Sequence, residues 1–179
     1  MDFKETIIST EDIYSGKVFD VKKHLVKLMN GSEVTRDAIV HHGGVAVVAI
    51  DDNGMVFMVR QYRFGADTET LEIPAGKLEK GEDPYSAAMR ELREETGYST
   101  DKLHSLGECL PTPAYCSEKI YLYLADKLEY CGQDLDDDEF LSVEKYPLDT
   151  VCDMIMKNEI TDSKTIIAIL KANAIRKGI

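Results

Sequence analysis

Residues 76–98, GKLEKGEDPYSAAMRELREETGY, constrain this chain more than any other stretch. A helix start is written at Asp83-Pro84: an acid suited to the N-cap precedes a residue whose missing N–H costs nothing in the first turn. Ala87, Ala88 and Leu92 recur at helical spacing as an apolar face, and Gly97 supplies the C-terminal stop. The same 23 residues carry six carboxylates, those of Glu79, Glu82, Asp83, Glu91, Glu94 and Glu95. Glu91 and Glu95 stand one turn apart, and Glu94 shares a face with Glu91. Like charges at that spacing cost about 0.2–0.5 kcal/mol per pair in an isolated helix, and the negative end of the macrodipole worsens the last turns. Neither a cap nor a solvated surface requires three glutamates there. A bound divalent cation reverses the sign of the repulsion, so the stretch reads as a metal-binding helix.

The rest of the composition narrows the function classes. At 179 residues, the chain is most simply one domain with a sizeable core. Its 33 acidic and 21 basic residues give a formal net charge of −12, which argues against broad electrostatic binding of nucleic acid or an anionic membrane. A small anionic substrate stays open, because metal ions and a few arginines dominate a pocket locally. No apolar run reaches bilayer length, and Met1-Asp2-Phe3-Lys4-Glu5 does not begin a signal peptide, so a cytoplasmic address is expected. Cys109, Cys116, Cys131 and Cys152 form no C-x-x-C pair and His24, His41, His42 and His104 are scattered, so zinc-ligand spacing is absent and reduced cysteines are expected.

Residues 5–42 read as antiparallel strands around the hairpin signal Asn30-Gly31. A ribbon of that length buries little by itself and must lean on the main domain or on a second subunit. After Gly43-Gly44, the run Val45-Ala46-Val47-Val48-Ala49-Ile50 suits a strand buried on both faces. Strands are expected at 55–63, 71–75, 104–109, 119–125 and 140–146, and helices at about 149–158 and 162–177. Thr161 or Asp162 caps the last helix, with Ile166, Ile169, Leu170 and Ala174 on one face. Strands with interspersed helices, rather than repeated βαβ units, suggest an α+β fold with a mixed sheet.

Gly76, then five residues, Glu82, then seven residues, and the run Arg90-Glu91-Leu92-Arg93-Glu94-Glu95-Thr96-Gly97 together resemble the Nudix box. One position departs from the pattern: Tyr98 stands where an aliphatic residue is usual. The resemblance implies an α/β/α sandwich over 43–179, with the N-terminal β ribbon at 1–42 set apart for dimerisation and for the substrate site. It also implies Mg²⁺-dependent hydrolysis, with Mn²⁺ as a substitute, of a nucleoside diphosphate linked to another moiety. Flanking segments resemble the ADP-ribose pyrophosphatase branch: Arg60-Gln61-Tyr62-Arg63, Leu71-Glu72-Ile73-Pro74-Ala75-Gly76, and the loop Pro111-Thr112-Pro113-Ala114-Tyr115-Cys116-Ser117-Glu118. Ala114 stands where a glycine is common in that branch. The substrate implied is a small nucleotide sugar, with ADP-ribose giving AMP and ribose 5-phosphate. Other nucleoside diphosphate derivatives, and a non-catalytic ADP-ribose sensor, are the alternatives.

Two adjacent anionic phosphoryl groups repel a nucleophile; divalent ions neutralise that charge and acidify a bound water. Hard ions take oxygen ligands, which Glu91 and Glu95 supply, with Glu94 placed to bridge or to hold a second ion. The carbonyl of Ala75 joins them by resemblance. Arg90 is expected to orient the glutamates by ion pairing, and Glu82 to support it or the helix start. Arg63 is the candidate diphosphate clamp, because guanidinium groups grip such oxygens bidentately, and Arg36 is a weaker one in the same or a neighbouring subunit's site. Pro113 and Glu118 belong to the loop expected at the substrate. Tyr14 or Phe19 is placed either to stack on adenine or to fill the core. With the box glutamates committed to metal, a further carboxylate serves as base: Glu139 by resemblance, with Asp136, Asp138 and Glu118 as alternatives.

Overall fold

The computed structural model describes residues 3–135 and 140–179. The chain divides into two compact units, Met1–Gly43 with Leu110–Lys119, and Gly44–Cys109 with Ile120–Ile179.

The first unit is an antiparallel sheet of β1 (Thr6–Ser15), β2 (Phe19–Lys27) and β3 (Glu33–His41), in that spatial order. The Asn30-Gly31 signal closes β2 onto β3. Gly31 takes φ +86°, where a Cβ is disfavoured, and Asn30 Oδ1 accepts the N–H of Ser32 at 3.0 Å. Register runs from Phe19↔His41 to Lys27↔Glu33 without a slip. The stretch 110–119 attaches to the same unit: Ile39 N donates to Tyr115 O at 2.7 Å and Ser117 N to Ile39 O at 2.9 Å. Every residue of β1 is exposed, including Ile7, Ile8, Ile13 and Tyr14.

The second unit holds β4 (Gly44–Ala49), β5 (Met55–Arg63), β6 (Thr68–Glu72), β7 (Ala75–Lys77), α1 (Pro84–Thr96), β8 (Tyr98–Ser99), β9 (Leu103–Cys109), β10 (Ile120–Ala125), β11 (Glu129–Tyr130), β12 (Leu141–Pro147), α2 (Leu148–Met156) and α3 (Ser163–Arg176). Its central sheet, β7-β4-β10-β9, is mixed: β10 runs parallel to β4 and antiparallel to β9. A second sheet, β12-β5-β6, is antiparallel throughout. The continuous apolar run proves to be β4, and alternation along it explains the continuity. Val45, Val47 and Ala49 pack with Ala87, Ala88 and Leu92 of α1, while Ala46 and Val48 pack with Val151 and Ile155 of α2 and Ala168, Ile169 and Ala172 of α3. Helices thus cover both faces, and the fold is the α+β sandwich with a mixed sheet.

Local signals set α1. Asp83 Oδ2 accepts Ser86 N at 3.0 Å, Pro84 opens the first turn, and Gly97 ends the helix at φ +76°. Two details differ from the sequence reading. The strand expected at 71–75 is split into β6 and β7 around Pro74, which has no N–H for a ladder. On α3, capped by Asp162, the buried residues are Lys164, Thr165, Ala168, Ile169 and Ala172; Leu170 is exposed, and Ile166 and Ala174 are only partly covered. The small side chains of Ala168 and Ala172 let α3 approach the sheet closely beside Ile169, while Leu170 goes to the margin. Among the described residues, no helix is long and apolar enough to cross a membrane.

Candidate active site

The site is built where the Ala75-Gly76 backbone meets the inner face of α1. Glu95 is buried, and its Oε2 accepts the N–H of Ala75 at 2.8 Å. Glu91, also buried, lies so close to Gly76 that a Cβ there would fall 1.9 Å from its carboxyl carbon. The box glycine is therefore required by space: its bare Cα is the wall against which the Glu91 carboxylate rests. Each residue from 72 to 75 is pinned. Ile73 N donates to Thr165 Oγ1 at 3.0 Å, Pro74 O accepts Val47 N at 2.8 Å, and Glu72 and Ala75 are held through side chains.

Arg90 gathers the remaining acids. Its Nη1 donates to Glu91 Oε1 and to Glu94 Oε2, both at 2.8 Å, and its Nε and Nη2 reach Glu82 at 3.2 and 3.3 Å. Burial opposes its charge, but the bonds to Glu82, Glu94 and Glu91 outweigh that and raise its pKa above the ordinary arginine value. Glu82 in turn accepts Glu79 N at 2.9 Å, and its carboxyl is held below the usual range by the bond from Arg90.

The C-terminal carbonyls of α1 are also covered. Gln133 Nε2 donates to Glu95 O at 2.5 Å, Asp134 N to Glu94 O at 3.2 Å, and Cys131 N to Gly97 O at 2.8 Å. Orphan carbonyls at a helix end concentrate negative charge. Here donors from 131–134 relieve it directly behind the glutamates.

Arg63 is given a partner inside the chain. Its Nε and Nη2 grip Glu72 at 2.7 and 2.6 Å, and Glu95 and Asp162 also favour its charge. Burial would raise the Glu72 pKa, but Arg63 and Lys164 overcome it and bring it down to about 2. Sequence reading gave Glu72 and Lys164 no role. The available signal was an acid between the apolar Leu71 and Ile73 of a short strand, a place where a charge needs a partner.

The other candidates lie in the first unit. Arg36 pairs with Glu5, its Nε and Nη2 donating at 3.1 and 2.7 Å. Pro113 is exposed, and Glu118 Oε1 stands 3.7 Å from His41 Nδ1. Tyr14 and Phe19 are both exposed, with ring centroids 6.1 Å apart, so neither is a core residue. Asp136, Asp138 and Glu139 lie outside the described residues.

The carboxylates of Glu91, Glu94 and Glu95 and the carbonyl of Ala75 are hard oxygens that suit a divalent cation of the Mg²⁺ class and not a soft metal. Among the described residues, no three acidic, His or Cys side chains converge on one point as they stand. Arg90 holds Glu91 and Glu94 instead. The donor chemistry fits such an ion.

Comparison with known proteins agrees with this geometry. The NUDIX domain family matches residues 40–168. An ADP-ribose pyrophosphatase of Bacillus subtilis is 40% identical over 168 residues, covering 93% of this chain and 91% of that one. A protein of Bacillus methanolicus named methanol dehydrogenase activator is 42% identical over 169 residues, with the same coverages of 93% and 91%. A crystal structure of an ADP compounds hydrolase superposes with a TM-score of 0.86 at 25% identity, covering 98% of this chain and 95% of that one.

Proposed function

The chain belongs to the Nudix family of pyrophosphohydrolases, which generally use divalent metal ions, and on that footing we propose that it hydrolyses the diphosphate of ADP-ribose or a related ADP-sugar with Mg²⁺. The observation that carries this is the burial of Glu91 and Glu95 against the Ala75-Gly76 backbone, where Glu95 accepts the Ala75 N–H and Glu91 lies against the bare Cα of Gly76. The substrate class rests on the relatives named ADP-ribose pyrophosphatase, one from Bacillus subtilis and one, 33% identical, from Mycobacterium tuberculosis.

In this reading, Glu91, Glu94, Glu95 and the Ala75 carbonyl would hold the ion, which when bound would supply charge neutralisation and an acidified water. Arg63 meets the diphosphate oxygens. Arg90 keeps the acids ordered through its bonds to Glu82, Glu91 and Glu94. Glu139 takes the proton of the attacking water as general base. Incubating the protein with ADP-ribose and Mg²⁺ should release AMP and ribose 5-phosphate, and a chelator should abolish the release. A panel of nucleoside diphosphate derivatives identifies the preferred substrate, and no turnover of any member overturns the reading.

Residues 1–42 serve in this reading as a dimerisation ribbon. The exposed Ile7, Ile8, Ile13 and Tyr14 of β1 support it, since an edge strand with this much uncovered apolar surface invites a second copy. Light scattering should give twice the chain mass, and a stable, fully active monomer excludes the arrangement.

The relative named methanol dehydrogenase activator favours a second reading, in which the domain recognises its nucleotide in order to regulate a partner enzyme. Binding of ADP-ribose without product, in the assay above, selects it.

A further inference from the structure

Lys164, the second residue of α3, is buried at 9% exposure and directs its charge at Glu72, which is 2% exposed. Glu72 spends its two oxygens on three side chains. Thr70 Oγ1 donates to Oε1 at 2.6 Å; Arg63 takes both oxygens; Lys164 Nζ donates to Oε2. The same Nζ lies 3.0 Å from Asp162 Oδ1, the acid that caps α3. Stability alone does not call for such a cluster, because apolar residues of similar volume commonly serve a buried site as well or better.

The cluster has a directional consequence. Both bonds from Arg63 use its Nε–Nη2 edge, so the opposite edge of the planar fork faces away from Glu72, on a side chain that is 40% exposed. A two-point grip fixes the plane of the guanidinium only if the carboxylate is itself fixed. Thr70 secures one oxygen and Lys164 the other, from an element far along the chain that is rooted through Thr165 to Ile73.

Resting on the reading of Arg63 as the diphosphate clamp, we propose that Lys164 is a positioning residue that sets, through Glu72, the plane in which Arg63 meets the substrate diphosphate. Lys164 touches no substrate. Its effect is transmitted entirely by the carboxylate it shares with Arg63, which makes it separable from a residue that merely supports the fold.

Four proteins test this: the wild type, Lys164→Met, Arg63→Ala and the double variant, each assayed for kcat and KM on ADP-ribose at saturating Mg²⁺. Lys164→Met is expected to raise KM about tenfold with kcat changed less than about threefold, since a clamp that grips ground and transition states alike acts on KM. Arg63→Ala should raise KM at least as much, and adding Lys164→Met to it should change KM no further. An equal rise in both backgrounds, or no rise in the single variant, overturns the inference while leaving the clamp in place. Unchanged KM in Arg63→Ala removes the clamp and this inference together, and wild-type protein inactive on ADP-ribose removes the functional reading beneath both. If Lys164→Met melts below the assay temperature, Glu72→Gln, which leaves Lys164 in place, takes its position in the cycle with the same expected non-additivity.

Discussion

Glu95→Gln is expected to lower kcat by about 10³-fold or more at saturating Mg²⁺ while the protein stays folded, with Glu91→Gln close behind. The amide keeps the volume of the side chain, and its oxygen still accepts the N–H of Ala75, so the buried contact survives. What disappears is an anionic ligand, together with a like-charge repulsion across one turn of α1. Relief of that repulsion offsets the loss of the charge that favours Arg63, so thermal melting should shift little while turnover collapses. Gly76→Ala reaches the same centre from the other side. The new Cβ would fall 1.9 Å from the carboxyl carbon of Glu91, and the side chain must vacate its place. Weaker Mg²⁺ activation, by about 10–100-fold, is expected from such a change beside a ligand. Near-normal turnover in Glu95→Gln at saturating Mg²⁺ would falsify the metal assignment.

Glu139→Gln is expected to lower kcat by about 10²–10⁴-fold with KM little changed, the weight of a general base that acts only in the transition state. Glu91, Glu94 and Glu95 are committed to the metal in this reading and Glu72 is locked between Arg63 and Lys164, so none of them is left to take a proton. Residues on either side of the acidic run are tethered to the elements of the site. Asp134 N donates to Glu94 O, and Leu141 pairs with Gln61 in the ladder of β12 on β5, two residues from Arg63. The comparison set is Glu118→Gln, Asp138→Asn and Asp136→Asn, measured in the same way. If Glu118→Gln is crippling and Glu139→Gln nearly silent, the base belongs to the 110–119 loop, where Glu118 already stands beside His41.

The helix that carries Glu91, Glu94 and Glu95 is legible in the sequence, because what fixes it is local. Asp83, Pro84 and Gly97 fix the two ends of α1 through bonds that span three or four residues, and helical spacing then puts Glu91, Glu94 and Glu95 where they are. The hairpin at Asn30-Gly31 is legible for the same reason. Two-sided burial of β4 follows from an unbroken apolar run.

Longer-range choices were not available to that kind of reading. The apolar residues of α3 are scattered around the helix among Lys164, Lys171, Asn173 and Arg176, so periodicity alone does not choose its buried face; the sheet does, by admitting Ala168 and Ala172 closely and leaving Leu170 outside. Likewise, a lysine at the start of a helix reads as a solvated charge. Lys164 is buried only because Glu72 lies 92 residues earlier in the chain and directly opposite it in space. Caps, turns and helical spacing are decided by bonds within a few residues, and the chain determines them by itself. The partner of a buried charge, and the face that a helix of scattered apolar residues turns inward, are decided by surfaces that exist only after the sheet and helices have met.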